Sequence, residues 1–99
     1  MTKTYYHATP YENLPSIIEK GILRGQDGYV YLTTDPVDAT KFLRIRGYDE
    51  ILVCEVALEE DLVEESYDHS EAFFRCKAYI YPEDIPSDEI LEFLTYYLY

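Results

Sequence analysis

Residues 51–58, Ile-Leu-Val-Cys-Glu-Val-Ala-Leu, form a nearly continuous apolar and β-branched run in the middle of the chain. A run with no solvated face reads as a central strand. At 99 residues, folding buries about two-thirds of the unfolded surface, and one domain spanning 1–99 is expected. Hydrophobic residues make up 47% of the chain, too many for disorder despite the charge.

Upstream of this run, Thr4-Tyr5-Tyr6-His7-Ala8 is aromatic and extended, a predicted first strand that turns at Thr9 or Pro10. Leu14, Ile17, Ile18 and Ile22 fall at helical spacing and Gly21 follows Lys20 as a stop signal, which predicts a helix over 12–20. A turn over Gly25 to Gly28 leads into a second strand, Tyr29 to Thr33. Asp35 is an N-cap residue with Pro36 at the first helical position. Ala39, Phe42 and Leu43 give that helix its apolar face, and it should stop near Gly47. Downstream, Glu59 to Asp68 is an acidic connection with a short strand expected at Leu62-Val63. Residues 72–81 read as a strand with Arg75 and Lys77 on one face and Cys76, Ala78 and Ile80 on the other. Pro82 and Pro86 bracket a turn, and the aromatic content of 90–98 favours strand over short helix. The order is β-α-β-α followed by mostly antiparallel strands, an α+β fold rather than a doubly wound parallel sheet.

The net charge of −12 is uneven. Residues 1–46 carry six Lys/Arg against five Asp/Glu; residues 47–99 carry two against fifteen. An acidic surface repels phosphate backbones, so extended nucleic-acid binding is disfavoured. The near-neutral first half is compatible with a small anionic ligand. The acidic half either faces a basic protein partner or simply solvates the chain. No apolar run reaches the roughly 18 residues of a membrane span, and the first residues lack the apolar core of a signal peptide. A cytoplasmic location is therefore expected, with Cys54 and Cys76 as buried thiols.

Several chemistries lack their motifs. Two cysteines and two distant histidines do not give a zinc spacing, so no metal site is expected. Glu59-Glu60-Asp61 and Glu64-Glu65 have no calcium-loop spacing, and no Gly-rich phosphate loop is present. Asp68-His69-Ser70 is consecutive, whereas a hydrolase triad is assembled by geometry and not by adjacency.

Three strings occur in a telling order. Tyr6-His7-Ala8-Thr9 precedes Asn13-Leu14-Pro15-Ser16-Ile17-Ile18-Glu19-Lys20-Gly21-Ile22; Val30-Tyr31-Leu32-Thr33-Thr34-Asp35-Pro36 follows; Ala78-Tyr79-Ile80-Tyr81 through Ile85-Pro86 to Ile90 closes the series. Together they touch about half the chain. This set resembles the ADP-ribosyltransferase-like superfamily, most closely RNA 2′-phosphotransferases and DNA-modifying ADP-ribosyltransferase toxins. The resemblance implies a small ADP-ribosyltransferase-like fold with NAD as cofactor. His7 would hydrogen-bond a ribose hydroxyl, the Ala8 backbone would hold the nicotinamide amide, and Thr9 would support the turn. Tyr31, or Tyr29 on the same face, would stack on the cationic ring. Thr33 belongs to the second string, and Arg44 is a candidate phosphate contact beside Arg24, Arg46 and Arg75. Without the resemblance, His7 and Tyr31 read equally well as ordinary strand residues.

The sequence also departs from that pattern. The late-strand Glu of ADP-ribosyltransferases aligns with Tyr79, and Glu71 at the start of that strand is the substitute. Three functions compete: NAD-dependent ADP-ribosyl transfer to a macromolecule; an inactive member that binds a basic protein as an acidic nucleic-acid mimic; and an RNA 2′-phosphotransferase, for which the charge is wrong.

Overall fold

A computed structural model describes residues 1–66 and 78–97, apart from the Phe42 side chain. The apolar central run is β3 (Glu50–Glu59), flanked by β1 (Thr2–Pro10) and β6 (Ile90–Tyr97) in an antiparallel sheet of order β1-β3-β6. A second antiparallel sheet, β2-β5-β4, is formed by β2 (Val30–Leu32), β5 (Ala78–Tyr81) and β4 (Glu64–Ser66). Two helices, α1 (Leu14–Lys20) and α2 (Pro36–Arg44), separate β1 from β2 and β2 from β3. The chain is thus β-α-β-α and then strands, the expected α+β fold.

Both faces of β3 are covered, which explains its unbroken apolar run. Ile51 and Val53 bury against Ala39 and Leu43 of α2, with Tyr6, Ala8, Leu94 and Tyr96 at the margin. Leu52, Cys54, Val56 and Leu58 face the other way, onto Val30 and Leu32 of β2, Tyr81 of β5, and Ile17, Ile22 and Ile85. Each fully buried aliphatic chain of this kind contributes about 1.5–3 kcal/mol by leaving water. Burial pushes the Cys54 thiol up to about 12, so it packs as a small apolar group. Cys76 lies outside the described residues, as do Asp68, His69, Ser70, Glu71, Arg75, Lys77, Leu98 and Tyr99.

Local signals set the element ends. Asp35 caps α2 by accepting from the Val37 and Asp38 amides at 2.8 and 3.1 Å, with Pro36 inside the first turn. The helix expected over 12–20 starts instead with a tight turn over Tyr11–Asn13, and its apolar stripe is narrower than the spacing suggests: Ile17 is buried while Ile18 is 58% exposed. The short strand expected at Leu62-Val63 falls at Glu64–Ser66. On β5, Tyr79 and Tyr81 face the main core cluster, and Ala78 is buried on the opposite face. Tyr81 pairs with Val30 and Tyr79 with Leu32, so their parity is imposed by the buried face of β2. The C-terminal segment is a strand; Tyr96 packs at the core margin while Tyr97 is exposed.

Gly21 closes α1 at φ 79°, ψ −165°, a region open essentially to glycine alone. A Cβ there would lie 2.1 Å from the Ile85 carbonyl oxygen, because Ile22 and Ile85 exchange backbone hydrogen bonds, each at 2.8 Å. Gly28 also has positive φ, but its Cβ would meet nothing within 4 Å. Gly21→Ala is therefore expected to cost at least about 2 kcal/mol in urea unfolding, and Gly28→Ala about 1 kcal/mol or less. Equal losses would show that the Gly21–Ile85 approach is not what matters.

Candidate functional site

β1 and β2 touch at a single two-bond bridge. The Tyr6 N–H donates to the Thr33 carbonyl at 2.8 Å and the Thr33 N–H to the Tyr6 carbonyl at 2.9 Å. Beyond it the strands part, β1 staying with β3 and β2 with β5. A cavity of about 390 Å³ opens in the gap, lined by Tyr6, His7, Ala8, Tyr31, Thr33 and Arg46, with Leu32, Ala39, Leu43 and Ala78 as apolar walls. Its size is at the lower end of small-molecule sites.

Two backbone positions define the gap. Had the ladder continued, the next bonded pair after Tyr6 and Thr33 would be Ala8 and Tyr31. The His7 imidazole instead occupies the Tyr31 carbonyl, with Nδ1 at 2.8 Å. A carbonyl only accepts, so Nδ1 carries the proton. Burial holds the imidazole below the ordinary histidine range, partly opposed by the Tyr31 carbonyl. Neutral His7 therefore presents Nε2 as an acceptor, suited to a hydroxyl donor. The strand alternation also turns the Ala8 N–H and C=O away from β3 and toward the gap. A donor and an acceptor side by side on an extended strand match a primary carboxamide.

Tyr31 is 46% exposed at the mouth. Arg46 lines the same cavity from beyond the end of α2 and makes no ion pair among the described residues. Thr33 donates its hydroxyl to the Asp35 carbonyl at 2.7 Å, tying the cavity wall to the α2 cap.

Other expected residues sit elsewhere. The Thr9 hydroxyl accepts from Asn13 Nδ2 at 2.8 Å, at the approach to α1. Tyr29 is in the turn before β2, and its amide donates to Asp27. Arg44 does not line the cavity, and Arg24 is bound to Asp84 at 3.2 Å. The Tyr79 ring packs edge-on against Tyr5, 5.8 Å between centroids, away from the cavity. Glu71 lies outside the described residues, and no described lining residue is a carboxylate. Of the arginines expected as phosphate contacts, Arg46 is the one among the described residues that lines the cavity. Ala39, Leu43 and Arg46 are spaced by four and three, one stripe of a helix, whereas Arg44 is a quarter-turn off it.

Comparison with known proteins gives a partial likeness. No family model matches the chain. It is 38% identical over 48 residues to a probable RNA 2′-phosphotransferase of Thermococcus kodakarensis. The match spans 48% of this chain and 27% of that relative. Among the described residues, no cluster of His, Cys, Asp or Glu is placed to hold a metal, and no helix is long and apolar enough to cross a membrane.

The lowered pKa of His7 has a measurable consequence. Above pH 6.5, the ordinary histidine value, both folded and unfolded chains hold it neutral. Below that value the unfolded chain takes up the proton first, so stability falls with pH until the folded-state value is passed. The slope cannot exceed about 1.4 kcal/mol per pH unit. His7→Gln should flatten this part of the stability profile between about pH 6.5 and 5, before most carboxylates titrate. Urea midpoints that run parallel for both proteins across this window would rule out the lowered His7 pKa.

Proposed function

We propose that this cavity binds the nicotinamide-ribose end of NAD, in a protein of ADP-ribosyltransferase type. The observation that carries the reading is the His7–Tyr31 bond across the parted strands. It puts an imidazole acceptor, a strand amide turned toward the gap and a half-exposed tyrosine around one cavity. The fit is chemical at each point. Nε2 of His7 takes a ribose hydroxyl, the Ala8 backbone takes the carboxamide, Tyr31 offers its face to a flat cationic ring, and Arg46 stands ready for a phosphate. When bound, NAD supplies a glycosidic bond to nicotinamide that can be cleaved. The protein's own residues hold and orient its two sides and wall one face with apolar side chains.

A second reading, RNA 2′-phosphotransferase, is favoured by the 38% likeness to the probable enzyme of that name. Among the described lining residues Arg46 is the sole Lys or Arg, few charges for a polyanion. The dinucleotide reading is therefore preferred. Retention on a tRNA column at physiological salt would reverse that order.

The direct test is a ¹⁵N–¹H NMR titration with NAD. Shifts are expected at residues 6–9, 29–34 and 46, with the Ala8 amide among the largest. Tyr31→Ala should weaken binding by about tenfold or more, the scale of one aromatic stack, and His7→Ala should remove the localised shifts. An unperturbed spectrum at millimolar NAD would discard the proposal.

A further inference from the structure

We infer that Asp27 is a positioning residue for this site, holding the Tyr31 ring in place at the cavity mouth; the inference rests on the dinucleotide reading above. Asp27 sits in the turn before β2, four residues from Tyr31, and its carboxylate is used twice. Oδ1 accepts from the Tyr29 amide at 3.1 Å, and Oδ2 accepts from the Tyr31 hydroxyl. The turn itself is closed by two backbone bonds, Gly25 N–H to the Tyr29 carbonyl at 2.9 Å and Gly28 N–H to the Gly25 carbonyl at 3.0 Å. Gly28, at φ 89°, allows that tight reversal. Tyr31 is thus held at both ends: His7 at its carbonyl and Asp27 at its hydroxyl.

The consequence is pre-organisation. A half-exposed tyrosine on a three-residue strand has two torsions to lose when a ring stacks on it, and fixing the hydroxyl removes most of that freedom in advance. The hydrogen bond from the phenol, and then that from the Tyr29 amide, hold the Asp27 carboxyl below the usual aspartate range. The contact is therefore to a carboxylate at neutral pH. Asp27 does not itself line the cavity, so its effect on a ligand passes through Tyr31, the wall residue that it holds.

The test is a double-mutant cycle read by two observables. NAD affinity is measured by NMR titration for wild type, Asp27→Ala, Asp27→Asn, Tyr31→Phe and the Asp27→Ala/Tyr31→Phe double variant. The Tyr31 ring resonances are followed in each ligand-free protein by ¹³C-tyrosine labelling. Asp27→Ala should weaken NAD about tenfold, Asp27→Asn should restore most of that by keeping the acceptor, and Asp27→Ala should add nothing in the Tyr31→Phe background. The Tyr31 ring signals should move in Asp27→Ala without ligand. Wild-type affinity in Asp27→Ala, or an undiminished loss in the Tyr31→Phe background, overturns the inference, as do unmoved ring signals. Absence of NAD binding by wild type is a different failure. It removes the dinucleotide reading, and the ring signals then report separately on whether Asp27 holds Tyr31.

Discussion

The site depends on where one antiparallel pairing stops. Tyr6 and Thr33 exchange two backbone bonds, and no further rung forms between β1 and β2. A strand that stops pairing leaves polar backbone groups that need other partners. Here the Tyr31 carbonyl takes the His7 imidazole, and the Ala8 amide and carbonyl are left facing the gap. One interruption therefore produces the cavity, the histidine tautomer and a backbone donor–acceptor pair turned toward the gap. Continuing the ladder by one more rung would close the site and release His7.

That interruption needs rigid walls, and the doubly covered β3 supplies them. Because both faces of β3 are apolar, α2 and the β2-β5-β4 sheet each have a dry surface to pack on. β1 stays in the β3 sheet and β2 in the second sheet, and the Tyr6–Thr33 bridge joins the two. The Asp35 cap and the Thr33 hydroxyl then fix the start of α2 beside that bridge. α2 carries Ala39 and Leu43 along the cavity, and Arg46 lines it from just beyond the helix end.

What could be read from the sequence was what local chemistry decides. Asp35-Pro36 marks a helix start within three residues, Gly21 marks a stop, and the Ile51–Leu58 run marks a buried strand whatever surrounds it. The β-α-β-α order followed from those marks. Residues whose roles depend on distant partners were harder. Tyr79 and Tyr81 share a strand with apolar residues at both parities, so only the pairing of β5 with Val30 and Leu32 decides which parity faces inward. The choice between Arg44 and Arg46 was decidable from the helical stripe of Ala39 and Leu43, but only once that stripe was known to border a cavity. The His7–Tyr31 bond joins strands separated by a whole helix, and no spacing announces it. The resemblance to ADP-ribosyltransferases named both residues without supplying the bond between them.

Charge decides what class of ligand can use such a site. The chain carries −12 overall, nearly all of it in residues 47–99, while the cavity is built almost wholly from residues 6–46, which are close to neutral. Repulsion from the acidic half grows with every phosphate that a ligand extends along the surface, since fields of this kind act over about 10 Å at moderate salt. On the proposed reading, a dinucleotide would hold its few charges within that distance of Arg46, so one cation would offset much of the repulsion. A long RNA would meet more of the charge carried by residues 47–99, with Arg24 already paired to Asp84 and Arg44 outside the cavity. On the proposed reading, the same distribution would favour a compact anion at the parted strands over an extended one.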